Sequence, residues 1–429
     1  MERLNKVFDK LNFGARKNFI RNFFSLAVFQ VIELLIPLIT IPIIINKVGI
    51  ENFGLINFAL VFAIFFQLII NFGFNTISIR EISLHQNDFI KITKIHNDTI
   101  NTKLILAFIC FFLAAILIFN FKTFNSTPEI YFFTLLSLVG QSLIPIWFFQ
   151  GLQESKYLTI SSFVGKIFYL VAILFFLEDP KDYVWVPIYN FISYFITFSI
   201  ASYIIYKKYG VKHQFTSFNS LREQLKMGKY MFLSELKLFF LSSFNIFILG
   251  IVSGNVAVAY FVGAEKYLRA ISNVFAPIQN SLFPVLSVKL NTNIREAKVW
   301  IKKILLFFAI VLFILCISLF FMSDWIINLF LGPEMSNSII VFKILAFIPF
   351  LSFFDTFFGK QILLNLRMEK QFFKVILIVA VINIPLIYIL SSKYSYIGAS
   401  ISQIISQLIL LTGMAYYSYI ALKTKNSQE

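Results

Sequence analysis

Twelve long apolar runs occupy most of this chain, and no soluble fold can hide that much apolar surface. A helix needs about 20 apolar residues to cross a bilayer. The runs are 22–45, 53–75, 99–120, 130–150, 157–178, 183–206, 230–253, 256–286, 304–327, 338–359, 372–391 and 397–420. They are continuous rather than alternating, which points to helices and away from a β-barrel. The expected fold is an all-α polytopic membrane protein with about 12 transmembrane helices. Pro37 and Pro42 should bend the first run, and Pro277 and Pro284 should kink the overlong eighth or carry it past the membrane. Charged residues are only 14% and the mean hydropathy is +0.81, against about 25% charged in soluble domains. Too little polar sequence is left to coat a soluble globule. That excludes a soluble enzyme, a nucleic-acid-binding domain and a disordered chain.

The net charge of +16 is explained by topology. Alternate connections, taken with both termini, hold 27 of the 37 basic residues (counting Lys374 at a rim); the opposite set holds only Lys47, Lys122, Lys181 and Lys393. This asymmetry puts both termini in the cytoplasm. The longest basic connection lies at mid-chain with six runs on each side, as in transporters built from two similar halves. The expected organisation is a basic amphipathic cytoplasmic N-terminus at 1–21, an N-lobe of six helices at 22–206, a basic cytoplasmic linker at 207–229, a C-lobe of six helices at 230–420 and a cytoplasmic tail at 421–429. In the N-terminus Leu4, Val7, Phe8 and Leu11 share a helical face; an interfacial helix and a disordered basic tail remain equal readings. Val48-Gly49 and Ser253-Gly254 give a faint echo between the halves. The first run starts after Arg21, exceeds a signal-peptide core in length and contains Glu33, so it reads as a span rather than a leader.

Catalytic chemistry is scarce. His85, His96 and His213 fall in or beside cytoplasmic loops without metal-ligand spacing. Cys110 and Cys316 sit inside apolar runs and read as small buried hydrophobes. Gly165-Lys166 and Gly359-Lys360 lack the remainder of a phosphate-binding loop, so ATP hydrolysis by this chain is not expected. No metal and no cofactor are expected, and the non-cytoplasmic loops are short. A membrane polymerase or glycosyltransferase would need a large outer loop or an interfacial acidic pair.

The chain instead places charge inside helices, where each such group costs several kcal/mol unless it faces a cavity or a partner. Nine stand out: Glu33, Lys166, Glu235, Lys237, Glu265, Lys266, Arg269, Lys343 and Asp355. Glu33 reads either as a proton or cation site or as half of an ion pair that holds helices together. Lys166 is a candidate phosphate contact. Glu265 and Arg269, four apart, share a helix face and can pair, with Lys266 close to that face. Glu235, Lys237 and Lys343 lie near helix ends, where snorkelling is the alternative. Asp355 is a candidate coupling carboxylate. Five cations against four anions lean toward an anionic cargo.

Four stretches then resemble a known family. They are Asn22 to Phe74, with Val48-Gly49, Phe53-Gly54-Leu55 and Asn71-Phe72-Gly73-Phe74 ahead of Arg80-Glu81; Pro145 to Gly151; Ser243 to Pro284, with Ala264-Glu265-Lys266; and Gly359 to Leu363 followed by Gly398-Ala399-Ser400. Their order and spacing resemble the polysaccharide (O-antigen type, Wzx) flippases of the multidrug/oligosaccharidyl-lipid/polysaccharide exporter superfamily. Relatives often carry Glu where Gln407 stands here. The resemblance implies two six-helix lobes around a central cavity that opens alternately to each side. It implies a cargo of oligosaccharide on undecaprenyl diphosphate, moved from the cytoplasmic to the periplasmic leaflet of the bacterial inner membrane by an H⁺ or Na⁺ gradient. A polysaccharide polymerase and a chain-length regulator are the implied partners, and nucleic acid is not. On this reading Lys166, Lys266, Arg269, Lys237 and Lys343 are the cationic cavity candidates, and Glu33, Glu265, Asp355 and Glu235 are the ion-coupling candidates. The alternatives are a multidrug exporter of the same superfamily, a lipid II flippase and, in another class, a membrane polymerase or glycosyltransferase.

Overall fold

The computed structural model describes residues 13–426, and every described element is helical. The apolar face of Leu4, Val7, Phe8 and Leu11 lies outside the described residues. The principal helices are α1 (Phe13–Asn71), α2 (Phe74–Leu84), α3 (Phe89–Asn120), α4 (Pro128–Leu143), α5 (Lys156–Phe176), α6 (Trp185–Tyr209) and α7 (Phe218–Ser242). They continue as α8 (Phe244–Asn273), α9 (Ala276–Thr292), α10 (Ile294–Phe321), α11 (Ser338–Leu345), α12 (Ile348–Thr356) and α13 (Glu369–Asn426), with a π-helical stretch at Phe357–Leu364.

Among the described residues, nine continuous stretches are long and apolar enough to cross a membrane. Three of the helices in them carry one internal non-helical residue each: Gly49 in α1, Gly254 in α8 and Ser395 in α13. Each interruption falls in the gap between two of the apolar runs. Gly49 (φ +83°, ψ 167°) and Gly254 (φ +81°, ψ −178°) adopt nearly the same backbone conformation, one open essentially to glycine alone. The faint sequence echo between the halves thus coincides with a shared backbone device. At Ser395 the chain folds back on itself, because a Cβ on Gly398 would stand 2.0 Å from the Leu390 carbonyl oxygen.

The chain divides into two compact units. One comprises the chain up to Val48 and Ala59–Leu236; the other comprises Gly49–Phe58 and Lys237–Glu429. The division thus falls at Leu236, inside the seventh apolar run, and a ten-residue piece, the gap residues 49–52 with the first six residues of the second run, belongs with the later unit. Local packing accounts for that assignment. A Cβ on Gly54 would meet the Asn255 carbonyl oxygen at 1.8 Å, and one on Gly250 would meet the Phe58 ring at 2.3 Å.

In the first unit, α5 and α6 approach closely through small residues, as membrane helices do when no water drives their association. Gly165 stands against Ser193 and Thr197, and Thr197 Oγ1 donates to the Ser193 carbonyl at 3.0 Å. The aromatic stretch at Trp147, Phe148 and Phe149 is fully buried in the core beside Ile82, Leu158 and Ile205. Gly151 receives Gln86 Nε2 at 2.8 Å and Ser83 Oγ at 3.2 Å on its carbonyl, which fixes the turn after that stretch. The basic connection expected as a linker docks onto α3: Asn97 donates to the Lys212 carbonyl at 3.0 Å and Asn101 to that of Gln214 at 2.7 Å. Residues 218–229 already belong to α7, where Phe232 stacks on Phe72 with ring centroids 4.5 Å apart.

In the second unit, α8 packs on α11, α12 and α13, and a polar knot sits inside it. Asn383 donates to Asn245 Oδ1 at 2.6 Å and accepts from Ser402 at 3.1 Å and Ser406 at 2.7 Å. All four side chains are buried. Such bonds offset the cost of polar groups in an apolar interior. Around the knot, two apolar clusters join α9, α10, α12 and α13 through Leu290, Leu312, Phe353, Phe357 and Val379.

Candidate functional site

The nine intramembrane charges sort into separate groups. In the first unit, Lys166 Nζ lies 3.2 Å from Glu33 Oε2 and 3.4 Å from the Tyr194 hydroxyl, with the Tyr194 ring centroid 4.6 Å away. Ser162 Oγ donates to the other Glu33 oxygen at 2.7 Å. The tight α5–α6 crossing at Gly165 sets this arrangement, because it brings Tyr194 under the Lys166 side chain. Lys166 is nearly inaccessible, whereas the Glu33 side chain keeps 25% of its exposure. The carboxylate is therefore the reachable end of this pair.

The first unit holds a second buried cation that the sequence reading passed over. Lys103, fully buried, donates to Asn75 Oδ1 at 2.8 Å and to the Ser142 carbonyl at 2.7 Å, and sits 4.3 Å from the Trp147 ring centroid. Glu235 is near enough for its charge to act on Lys103. The available signal was position: Lys103 lies four residues inside the third apolar run. The side chain of Lys237 lies outside the described residues.

The second unit contains a polar cavity of about 530 Å³. Glu265 and Arg269 line it from α8, Gln279 from α9, Thr356 and Lys360 from the α12 end and the π stretch, and Gln403 and Gln407 from α13. Arg269 grips Glu265 through Nε at 2.9 Å and through Nη2, while 46% of its side chain stays exposed. Gln279 Nε2 donates to the Phe353 carbonyl at 2.9 Å, and Gln361 Nε2 donates to the Gln279 carbonyl at 2.7 Å. Asp355 accepts from Thr356 Oγ1 at 2.9 Å and from Gln407 Nε2. The amide at position 407 thus secures the buried carboxylate of Asp355. The π-helical stretch, a local irregularity frequent at functional sites, carries Lys360 to the cavity wall. Lys360 had counted only as a loop cation in the sequence.

The structure therefore brings Glu265, Arg269 and the partner of Asp355 to one cavity and takes Lys266 elsewhere. Lys266 Nζ donates to Asn57 Oδ1 at 2.7 Å and stands 5.9 Å from the Phe53 ring centroid. Lys343 is 2.7 Å from Asp324 Oδ2, with which it pairs. No group of three or more His, Cys, Asp or Glu that would hold a metal occurs among the described residues. Amide and hydroxyl groups with two cations, inside a mostly apolar unit, can hydrogen-bond a polyhydroxylated solute and attract an anionic one.

Comparison with known proteins places this geometry in context. The family model described as "Polysaccharide biosynthesis protein" matches residues 19–289. A protein of Escherichia coli (strain K12) named "Putative O-antigen transporter" is 25% identical over 397 residues, covering 92% of this chain and 96% of that protein. Among solved structures, an inward-facing multidrug resistance MATE family transporter of the MOP superfamily matches 94% of this chain and 99% of its own, with a TM-score of 0.73 at 14% identity. The lipid II flippase MurJ in an inward closed conformation matches 93% and 87%, with a TM-score of 0.66 at 15% identity. At those identities the two structures establish a shared fold.

Proposed function

The chain belongs to the polysaccharide biosynthesis protein family, and on that premise we propose that it is a transporter, not an enzyme, that flips a lipid-linked polysaccharide precursor across the membrane. The cavity of the second unit is the observation that carries this reading. Gln279, Gln403, Gln407, Ser352, Ser406 and Thr356 give its wall amide and hydroxyl groups suited to sugar, and Arg269 and Lys360 supply positive charge suited to phosphate. The name of the Escherichia coli relative, an O-antigen transporter, points the same way.

The finer proposal is an oligosaccharide repeat unit on undecaprenyl diphosphate, loaded from the cytoplasmic leaflet of the bacterial inner membrane and released on the periplasmic side for O-antigen or another surface polysaccharide. Alternating access driven by an H⁺ or Na⁺ gradient is part of this proposal, as are a polysaccharide polymerase and a chain-length regulator as partners. Arg269 is the leading cargo contact. Lys166, already held by Glu33 and the Tyr194 hydroxyl, and Lys266, already bonded to Asn57, stand as secondary cationic candidates. Lys343 and Lys237 rank lower. Among the coupling candidates, Glu33 is favoured by its residual exposure beside a buried cation, and Glu265 by its place on the cavity wall. Asp355 and Glu235 complete the set.

The test is export of surface polysaccharide in cells whose own copy is replaced by the Lys266→Ala/Arg269→Ala variant. Loss of surface polysaccharide at normal protein level, with lipid-linked precursor accumulating inside, is expected. Unchanged export would remove the cationic assignment. Drug resistance conferred by the wild type, with no effect on polysaccharide, would favour the multidrug alternative.

A further inference from the structure

The second unit carries a groove unrelated to the polar cavity. It has a volume of about 450 Å³ and an almost wholly apolar wall. One side is α10, which presents two neighbouring rows at four-residue spacing: Lys298, Lys302 and Leu306, then Ile301, Leu305 and Ala309. The other side is Phe350, Phe354 and Phe358, again four apart. The two walls run antiparallel, since Phe308 stacks on Phe353 at 4.5 Å and Phe313 meets Phe350 at 6.5 Å. Leu422 near the end of α13 closes the lower end beside the lysines.

Two magnitudes identify an occupant. From residue 298 to residue 309 an α-helix rises about 16 Å, close to one leaflet of a hydrocarbon core about 30 Å thick. Both cations stand at one end, and by the distribution of basic residues that end is cytoplasmic. Neither Lys298 nor Lys302 forms an ion pair among the described residues. The cytoplasmic leaflet carries anionic lipid, and each lysine near its surface adds attraction. We propose that this groove binds one anionic phospholipid of the cytoplasmic leaflet, an acyl chain lying between α10 and the Phe350–Phe354–Phe358 row and the phosphate between Lys298 and Lys302. A groove one leaflet deep suits a phospholipid rather than a long polyprenyl chain. The site does not depend on the transport reading.

The test is lipid retention by the purified full-length protein, measured by native mass spectrometry after exchange into defined mixtures of phosphatidylglycerol and phosphatidylcholine. The wild type is expected to keep phosphatidylglycerol preferentially. Lys298→Gln/Lys302→Gln should lower that retention on the order of tenfold or more. Ala309→Phe, which fills the groove and leaves both lysines, should lower it too. Arg295→Gln/Lys303→Gln removes the same charge from exposed positions outside the groove and should leave retention unchanged. Equal retention of the two lipids, equal loss in the control pair, or undecaprenyl phosphate displacing phosphatidylglycerol from the wild type would overturn the proposal.

Discussion

The ammonium of Lys166 lies 3.2 Å from the carboxylate of Glu33, 133 residues away in sequence, and the aromatic face of Tyr194 backs it. This pair joins the first apolar run to the fifth within one unit. It is the ion pair that the sequence offered as one reading of Glu33, with the carboxylate keeping 25% of its exposure.

Removing one partner of a buried pair strands the other charge, at a cost of about 3–5 kcal/mol. Glu33→Gln is therefore expected to lower the melting temperature of the detergent-solubilised protein sharply. Adding Lys166→Met should restore most of that stability. Polysaccharide export should remain lost in the double variant if Glu33 acts in transport; full recovery of export would make the pair purely structural.

Arg269 shares its charge between Glu265 and the cavity. Arg269→Ala is expected to reduce export about tenfold or more, equivalent to about 1.4 kcal/mol of lost interaction, with protein level maintained. Arg269→Lys retains charge but not the forked grip on Glu265, so its export should fall between. Wild-type export in Arg269→Ala cells would exclude a cargo role.

Two glycines separate backbone strain from crowding. Gly49→Ala meets no neighbouring atom and bears only the cost of its φ of +83°, about 1–3 kcal/mol. Gly54→Ala drives a Cβ to 1.8 Å from the Asn255 carbonyl oxygen, and backbone cannot yield as a flexible side chain does. Folded yield and melting temperature should both rank wild type above Gly49→Ala above Gly54→Ala; the reverse order of the variants would contradict the packing described.

Lys103 tests the buried cation missed in the sequence. Lys103→Met leaves Asn75 Oδ1 and the Ser142 carbonyl without their donor, at about 1–3 kcal/mol for each group left unsatisfied. The melting temperature should drop measurably. An unchanged value would mean that water replaces the ammonium.

The sequence by itself determined that this is an all-helical, multi-pass membrane chain, and it set the expectation for which face its loops occupy. Those features are local: apolar length must match bilayer thickness, and basic residues resist translocation one loop at a time. It also located most of the intramembrane charges, because such a group is conspicuous deep in an apolar run; Lys103, near the start of its run, escaped. Only the tertiary structure decided their partners. Lys266 and Arg269 differ by three positions, yet one is taken by Asn57 and the other faces the cavity. Lys360 looked like a loop cation until a π-helical stretch turned it to the cavity wall. Helical spacing fixes which face a residue occupies, but not which helix will meet that face. That depends on close approaches between distant segments, such as Gly165 against Ser193 and Gly54 against Asn255, which no local pattern encodes.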